Sequence, residues 1–380
     1  MGNRLAILVL EDGSVFEGSP FGAEVEAEGE VVFNTCMTGY QEVCTDPSYR
    51  GQMVVMTHPQ IGNYGVAAEV SESVQPWLAA LIVRDYAPFH HHWQSEISLG
   101  DWLASHGVPG LQGIDTRALT RVLRTKGTMR AKLFQRETPP EEAELEAMLD
   151  QVQRVTSLSD KDLVGEVSGA GARADVLTVG QSGSGPHIVL VDCGVKHNII
   201  RSLVQRGAKV TNVQHDASLR QIMDLHPDGV LLCNGPGDPA SLLQVVETTR
   251  GLLRARVPLM GICLGHQILG RAIGATTSRL KFGHHGGNHP VKEVATGRVD
   301  VTSQNHEFQV DAESIPPESG FYVSHRNLND GSVEGLAHPA LPAFSVQYHP
   351  EGCPGPQDNQ YLFDHFIMMI EGDRSSRQWE

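Results

Sequence analysis

A single cysteine in "PLMGICLGHQILG" (residues 258–270) has the setting of a catalytic nucleophile. Cys263 stands between Gly261 and Gly265, after an apolar run typical of a strand and before a pattern typical of a helix. In such an elbow the sulfur points out at the sheet edge. The two glycines lack the Cβ atoms that would collide in the tight turn, and the N-terminus of the following helix favours the thiolate. The turn frees the Leu264 amide to donate to an oxyanion. The alternative is a buried structural cysteine.

A thiolate needs a base, and "FSVQYHPEG" (residues 344–352) contains the best candidate among the 18 histidines. Pro350 favours an extended conformation at His349, where an apolar strand is predicted to end. Residues two apart in an extended chain lie on the same side, so Glu351 can reach the imidazole ring, fix its tautomer and support its charge. The alternative for His349 is a strand-end histidine beside a surface glutamate. Beside Cys263, the catalytic interpretation is favoured.

The stretch "CNGPGDPAS" (residues 233–241) predicts a Gly-Pro-Gly turn at the end of the preceding strand. Amides in this turn would lie beside the elbow and are candidates for a second oxyanion donor. The glycine spacing matches neither a Walker loop nor G-x-G-x-x-G, so a phosphate site is disfavoured. A plain strand-to-helix loop is the alternative.

Two histidine-rich stretches raise the question of a metal: "FHHHWQ", which begins at Phe89, and "FGHHGGNHP" (residues 282–290). Neither has the helical i, i+4 spacing of zinc proteases or a nearby cysteine ligand. We therefore predict no metal site, and polar loops at both stretches, the second of them near the pocket.

Short buried strands alternating with helices must position the candidate residues of the second half. Strands are predicted in "HIVLVDCG", "KVTNVQH", "GVLLCNGPGDP" and "VPLMGIC", and helices in "KHNIIRSLVQRG", "SLRQIMDLHP" and "ASLLQVVETTRGLLRAR". This alternation predicts an α/β fold with a doubly wound, mostly parallel sheet, in which ligands bind beyond the carboxyl ends of the strands. Cys263 lies at one of these ends.

The first half is strand-rich and predicts an α+β domain. Strands are expected in "LAILVLEDGSVFEG", with a hairpin at Asp12-Gly13, and in "EVVFNT", "QMVVMTH" and "LAALIVRDY". One helix is predicted in "GIDTRALTRVLRTKG", with Asp115 as its N-cap and Gly127 in the left-handed conformation at its end.

The length of 380 residues exceeds one ordinary domain. We predict an amino-terminal domain over residues 1–150, a connecting segment over 151–186 and an α/β domain over 187–376. The connecting segment includes the Gly-, Ser- and Ala-rich stretch "GEVSGAGARADVLTVGQSGSGP".

The composition excludes several classes of function. The 29 basic and 45 acidic residues give a net charge of −16, which opposes binding to nucleic acid or an anionic membrane. No apolar run approaches the roughly 20 residues of a membrane span. The six scattered cysteines include no C-x-x-C pair, which predicts no disulfide framework and fits a cytoplasmic protein.

Three of these motifs together resemble a known family. "NGPGDP", "GICLGHQ" and "HPE" are similar to the signatures of class I glutamine amidotransferases, which use a Cys-His-Glu triad. The first half narrows the resemblance, since "GEVVFNTCMTGYQEVCTDPSYRGQ", "HPQIGNYG", "GIDTRALTR" and "KFGHHGGNHPVK" are similar to the small, glutaminase subunits of carbamoyl-phosphate synthetases. This resemblance covers nearly the whole chain.

The resemblance implies a role for individual residues. Cys263 would be the nucleophile, His349 the base and Glu351 its orienting partner. The backbone amides of Gly235 and Leu264 would bind the oxyanion. The glutamine-binding residues would also include Ser48, Gly237, Gln267, Asn305 and Phe308. From the residues alone, Ser48 is a turn residue after Asp46-Pro47, and Gln267 is a solvated helix residue.

One residue departs from the family pattern. The family usually has "QNHGF" where this chain has "QNHEF", so Glu307 replaces a glycine. Glu307 would change the local geometry or add a negative charge if its backbone contacts substrate, or would point to solvent.

The resemblance also implies the partners and the cofactors. The chain would hydrolyse L-glutamine and pass ammonia to a large subunit, in a heterodimer or a higher oligomer of it. That subunit would use ATP and Mg²⁺ to make carbamoyl phosphate from bicarbonate, for arginine and pyrimidine synthesis. No cofactor is expected in this chain. The alternatives are the glutaminase of another synthase (for anthranilate or GMP), a γ-glutamyl hydrolase, a catalytically silent subunit, and a cysteine peptidase or esterase.

Overall fold

The computed structural model describes residues 4–169 and 185–377, with side chains to residue 372. The chain forms two compact units. The first unit is Met1–Leu163 with Lys281–His285, and the second is Val164–Leu280 with Gly286–Glu380. The domain bounds predicted from the sequence stay a prediction. Part of the predicted connecting segment, residues 170–184, lies outside the described residues.

The first unit is built on a closed seven-stranded barrel with the strand order β1-β2-β8-β6-β4-β3-β9. The pairs β3–β4, β4–β6 and β6–β8 are parallel, and the other pairs are antiparallel. The barrel strands are β1 (Leu5–Leu10), β2 (Val15–Gly22), β3 (Ala27–Asn34), β4 (Gln52–Met56), β6 (Ala80–Ile82), β8 (Pro109–Gln112) and β9 (Met129–Arg136). The strands β5 (Gln60–Ile61) and β7 (Asp85–Tyr86) form a separate two-stranded parallel sheet. The helices are α1 (Tyr40–Thr45), α2 (Leu99–Ser105), α3 (Thr116–Lys126) and α4 (Glu142–Gln153). The predicted strand-rich character is confirmed.

Strand β1 shows why this sequence makes a barrel wall. Alternate side chains of a strand point to opposite faces. Leu8 and Leu10 pack into the apolar cluster that contains Leu119 and Leu123 of α3, whereas Ile7 and Val9 pack in a second cluster with residues of α4. Both faces are therefore covered, which explains the uninterrupted apolar run.

Helix α3 begins as the sequence predicted and ends differently. The Asp115 side chain accepts a hydrogen bond from the Ala118 amide at 2.9 Å, which confirms the N-cap. Gly127 has φ 105° and ψ 177°, so the predicted left-handed helical conformation is wrong. A Cβ at Gly127 would lie 2.8 Å from the Lys281 carbonyl oxygen. Directly after Gly127 the chain becomes extended and enters β9. A long-range main-chain contact sets this conformation.

The second unit is built on a nine-stranded sheet with the order β11-β10-β12-β13-β18-β17-β16-β14-β15. The first five strands in this order (β11, β10, β12, β13 and β18) are parallel to one another. Strands β17, β16 and β14 follow in antiparallel pairs. The strands are β10 (His187–Asp192), β11 (Lys209–Gln214), β12 (Gly229–Leu232), β13 (Leu259–Ile262), β14 (Thr277–Glu293), β15 (Val299–Val310), β16 (Tyr322–Asn327), β17 (Val333–Ala337) and β18 (Ala343–Val346). The helices are α5 (Leu163–Val167), α6 (His197–Gln205), α7 (Leu219–Asp224), α8 (Leu243–Arg254), α9 (Leu264–Ala272) and α10 (Tyr361–Arg377). The predicted mostly parallel α/β fold is confirmed.

The two histidine-rich stretches differ in structure. The stretch that begins at Phe89 is a loop, as predicted. The prediction of a loop over residues 282–290 is wrong, because they lie within β14. Within the first unit, the Thr128 amide donates to the Lys281 carbonyl oxygen, and the Thr35 amide donates to the His285 carbonyl oxygen. Long-range pairing of this kind overrides the turn signal of the glycines.

None of the helices formed by the described residues is long and apolar enough to cross a membrane.

Candidate active site

The elbow at Cys263 has the backbone geometry that the sequence predicts. Strand β13 ends directly before Cys263 and helix α9 begins directly after it, while Cys263 itself has φ 55° and ψ −105°. A Cβ at Gly261 would lie 2.6 Å from the Gly265 carbonyl oxygen, and one at Gly265 would lie 2.1 Å from that of Leu232. Both glycines are therefore sterically required. Positive φ at a non-glycine residue is strained, and such strain clusters at functional sites.

The sulfur of Cys263 is covered, which corrects the expectation that it points out at the sheet edge. Cys263 is only 2% exposed. Its Sγ lies 3.5 Å from the carbonyl oxygen of Asn305, in strand β15. Leu264 is the first residue of α9, so its amide has no acceptor within the helix. The sulfur thus belongs to a buried residue that directly precedes the N-terminus of α9.

His349 and Glu351 form the predicted pair. His349 Nδ1 lies 2.6 Å from Glu351 Oε1, and both side chains are buried. Strand β18 ends at Val346, so His349 follows the strand by three residues instead of ending it. The amide of His349 donates to the carbonyl oxygen of Ser303 at 2.9 Å, which ties this extended segment to β15. His349 Nε2 is buried and has no hydrogen-bond partner among the residues that the structure describes.

Sequence reasoning missed Lys196, which completes this arrangement. Lys196 Nζ donates to Glu351 Oε1 at 2.9 Å, and the lysine side chain is only 2% exposed. Asn198 Nδ2 donates to the Glu351 carbonyl oxygen at 2.7 Å. The only signal available in the sequence is position, since Lys196 follows β10 and so belongs to the same edge of the sheet as Cys263.

The charges of these groups shift each other's pKa values. Burial by itself raises the pKa of Glu351, but the positive charges of Lys196 and His349 outweigh it and lower that pKa to about 2. Burial by itself lowers the pKa of His349, but Glu351 and then Cys263 outweigh it and raise that pKa to about 10. The site therefore holds an imidazolium at His349, next to Cys263.

The predicted oxyanion residues come together at the sheet edge. A Cβ at Gly235 would lie 2.0 Å from the Cys193 carbonyl oxygen and 3.0 Å from the Leu264 side chain, so only glycine fits there. The Gly265 amide donates to the Cys233 carbonyl oxygen at 3.1 Å, which joins this loop to the elbow. Gly237, two residues further on, has φ 89° and needs the conformational freedom of glycine.

Gln267 is buried, so the interpretation of a solvated helix residue is wrong. Its Nε2 donates to the Phe308 carbonyl oxygen at 2.8 Å and to Gln347 Oε1 at 3.1 Å. Gln267 thus joins α9 to the segment of β15 that contains Asn305 and Phe308. These predicted glutamine-binding residues are neighbours within the second unit.

Ser48 belongs to the first unit. It lies in a short 3₁₀ turn, Pro47–Tyr49, and is buried. Its amide donates to Asp46 Oδ1 at 2.9 Å, as expected for a turn after Asp46-Pro47. Its assignment to glutamine binding stays a prediction.

Glu307 forms an ion pair with Arg279 of the neighbouring strand β14. The Glu307 side chain is 9% exposed and that of Arg279 is 33% exposed. The glutamate charge is therefore compensated by a residue outside the elbow.

Comparisons with known proteins cover both units. The family model "Carbamoyl-phosphate synthase small chain, CPSase domain" matches residues 8–133, and "Glutamine amidotransferase class-I" matches residues 189–369. The carbamoyl phosphate synthase small chain of Symbiobacterium thermophilum is 52% identical over 97% of this chain and 98% of that protein. The corresponding chain of Methanopyrus kandleri is 50% identical over 96% of this chain and 98% of that protein. Among solved structures, a glutamine amidotransferase of Thermotoga maritima is 18% identical with a TM-score of 0.35, over 44% of this chain and 77% of that one.

Proposed function

This chain belongs to the family of carbamoyl-phosphate synthase small chains, and on that premise we propose that Cys263, His349 and Glu351 carry out its glutamine hydrolysis. It is the glutaminase chain that supplies ammonia for carbamoyl phosphate synthesis. The residue assignment is supported above all by the 2.6 Å contact between buried His349 Nδ1 and Glu351 Oε1. Because Nδ1 faces the carboxylate, Nε2 is left to act on the reacting groups.

In the first half of the reaction, the Cys263 thiolate attacks the carbon of the glutamine side-chain amide. The oxygen becomes an oxyanion, which the backbone amides of Gly235 and Leu264 stabilise. The imidazolium of His349 gives its Nε2 proton to the amide nitrogen, the C–N bond breaks, and ammonia leaves. A γ-glutamyl thioester remains on Cys263.

In the second half, neutral His349 takes a proton from water, and the resulting hydroxide attacks the thioester carbon. The same two amides stabilise the second oxyanion. The C–S bond then breaks, which restores the thiolate–imidazolium pair and releases glutamate. Glu351 favours the imidazolium form of His349, and Lys196 keeps Glu351 ionised.

The glutamine pocket is proposed to include Ser48, Gly237, Gln267, Asn305 and Phe308. Buried amides and carbonyl groups are suited to a substrate with an amide, an ammonium and a carboxylate. Support comes from the second unit, where Gln267 Nε2 donates to the Phe308 carbonyl oxygen and Asn305 lies against the sulfur.

The proposal extends to the fate of the ammonia. Free ammonia would be protonated at neutral pH, so it must pass enclosed to an acceptor site. The name "small chain" in the relatives implies a large chain as partner. We propose that this partner uses ATP and Mg²⁺ to activate bicarbonate, and that the product serves arginine and pyrimidine synthesis. The proposed complex contains at least one pair of chains and acts in the cytoplasm.

Ammonia and glutamate release from glutamine tests the proposal, with this chain alone and with its large chain, ATP and bicarbonate. We expect stimulation by the large chain, and loss of both products in Cys263→Ser. Acid quenching with radiolabelled glutamine should trap a protein-bound γ-glutamyl thioester in the wild type only. Undiminished ammonia release by Cys263→Ser would refute the nucleophile assignment. No ammonia under any condition would favour a catalytically silent subunit.

A further inference from the structure

A buried row of polar side chains, which we call the Glu334 relay, runs beside the elbow within the second unit. It consists of Glu334 in β17 and of Gln304 and His306 in β15. Gln304 Nε2 donates to Glu334 Oε2 at 3.0 Å, and Gln304 Oε1 lies 2.9 Å from His306 Nε2. The three residues are 0%, 2% and 5% exposed. Burying polar groups to this extent is costly unless every donor meets an acceptor.

The orientation of the Gln304 amide follows from its neighbours. The Thr302 hydroxyl donates to the His289 carbonyl oxygen at 2.9 Å, so it is an acceptor for Gln304 Nε2 at 3.0 Å. The carboxylate of Glu334 can only accept. The NH₂ group of Gln304 must therefore face Thr302 and Glu334, which leaves its carbonyl oxygen facing His306.

Both ring nitrogens of His306 then face oxygens that can only accept. Nε2 faces Gln304 Oε1 at 2.9 Å, and Nδ1 faces the Phe308 carbonyl oxygen at 2.8 Å. Both hydrogen bonds can form together only when each nitrogen carries a proton, as in an imidazolium. An imidazolium here would have the carboxylate of Glu334 as its counter-charge, and that carboxylate also accepts from Asn327 Nδ2 at 2.8 Å. The two charges would then lie at opposite ends of one buried amide.

We propose that Glu334 is a positioning residue for the glutaminase reaction, because through Gln304 it keeps His306 charged. The charged ring holds the Phe308 carbonyl oxygen, which also accepts from Gln267 Nε2. This fixes the segment 305–308 of β15. The inference rests on the proposed function, since Asn305 and Phe308 are proposed glutamine-binding residues and the Asn305 carbonyl oxygen lies 3.5 Å from the Cys263 sulfur.

Loss of the carboxylate should weaken glutamine binding more than chemistry. In Glu334→Gln the imidazolium loses its counter-charge, His306 becomes neutral, and the hydrogen bond to Phe308 is no longer charge-assisted. A charge-assisted hydrogen bond is about twice as strong as a neutral one, so we expect KM for glutamine to rise roughly tenfold. We expect kcat to change less than about twofold, since the triad is untouched.

A double variant separates this role from a merely structural one. The double variant Gln304→Glu/Glu334→Gln exchanges the amide and the carboxylate between positions 304 and 334. The carboxylate at position 304 then faces His306 directly, which restores the counter-charge. We expect KM to return to within about threefold of the wild type. The matched control is Thr249→Val, which removes a buried hydrogen bond in α8 of the same unit and should leave KM unchanged. An unchanged KM in Glu334→Gln, or no recovery in the double variant, would overturn the proposal.

The charge of His306 can also be observed without activity. In protein labelled with ¹⁵N-histidine, the His306 signals are identified as those that disappear in His306→Gln. We expect these signals to show two protonated ring nitrogens in the wild type and in the double variant, and one protonated nitrogen in Glu334→Gln. A neutral ring in the wild type would overturn the proposal even if KM rose. If the complex released no ammonia, the proposed function would fail and the positioning role with it, while these signals would still decide the charge.

Discussion

Lys196 Nζ lies 2.9 Å from Glu351 Oε1, the same oxygen that lies 2.6 Å from His349 Nδ1. One buried carboxylate oxygen is thus shared by an ammonium and an imidazolium. The charges therefore alternate from Lys196 through Glu351 to His349, and the proposed Cys263 thiolate would continue this alternation. Such a row is stable in a buried setting only while every member is present, because an unpaired buried charge is costly.

Replacing Lys196 by methionine should therefore damage both folding and catalysis. Without the ammonium, the Glu351 carboxylate is less stable, so its support of the His349 imidazolium weakens. Removing one partner of a buried pair costs roughly 3–5 kcal/mol, and we expect the free energy of unfolding to fall by about 3 kcal/mol. Urea denaturation measures this change, and ammonia release should show at least a tenfold lower kcat/KM. The matched control is Lys209→Met, at an exposed position of β11. Wild-type stability and kinetics in Lys196→Met would contradict the role assigned to the ammonium.

The pH profile should report the pKa of His349. Because that pKa is raised to about 10, the imidazolium keeps its proton up to that pH and loses it above. We expect kcat/KM for ammonia release to stay level from pH 8 to 9 and then to fall, since the leaving ammonia needs that proton. In Glu351→Gln the negative charge is gone, so the fall should move to lower pH. Samples returned to pH 8 before assay would exclude irreversible unfolding. An identical alkaline limb in both proteins would contradict the charge coupling.

Gly235→Ala tests the oxyanion loop. The new Cβ would lie 2.0 Å from the Cys193 carbonyl oxygen, so the loop must move and carry its amide away from the substrate. Loss of one oxyanion donor costs about 10²–10³ in kcat, and we expect a loss of this order in ammonia release. Gly372→Ala is the control, because a Cβ there meets nothing within 4 Å. Activity within twofold of the wild type would show that the Gly235 amide is not an oxyanion donor.

Glu307→Gly tests the residue that departs from the family pattern. The glutamate is paired with Arg279 and its side chain is 9% exposed, so it does not bring an uncompensated charge to the elbow. We expect KM for glutamine to stay within about twofold of the wild type, since the glutamate charge is compensated by Arg279 and not by groups of the elbow. Glu307→Gln keeps the side-chain length and serves as the comparison. A KM lowered tenfold in the glycine variant alone would show that the glutamate obstructs the pocket.

Local sequence was sufficient to predict the turns and pairs that depend on near neighbours. The elbow follows from Gly261 and Gly265, whose missing Cβ atoms are a steric requirement within a few residues. The contact between His349 and Glu351 follows from the two-residue period of extended chain. The cap of α3 by Asp115 likewise depends on residues three apart. Alternation of apolar strands with helices was enough to predict the parallel sheet.

Only the tertiary structure decided the features that depend on residues far apart in the chain. Lys196 and Glu351 are separated by 155 positions, and no local pattern marks a lysine as the partner of a particular carboxylate. The Asn305 carbonyl oxygen, 42 positions from Cys263, covers a sulfur that the elbow alone would expose. Residues 282–290 form a strand, and Gly127 leaves the helical conformation, because distant main-chain groups pair with them or crowd them. Neighbouring residues determine short-range steric requirements and periodicity. Burial and charge pairing depend instead on which distant segments the fold brings together.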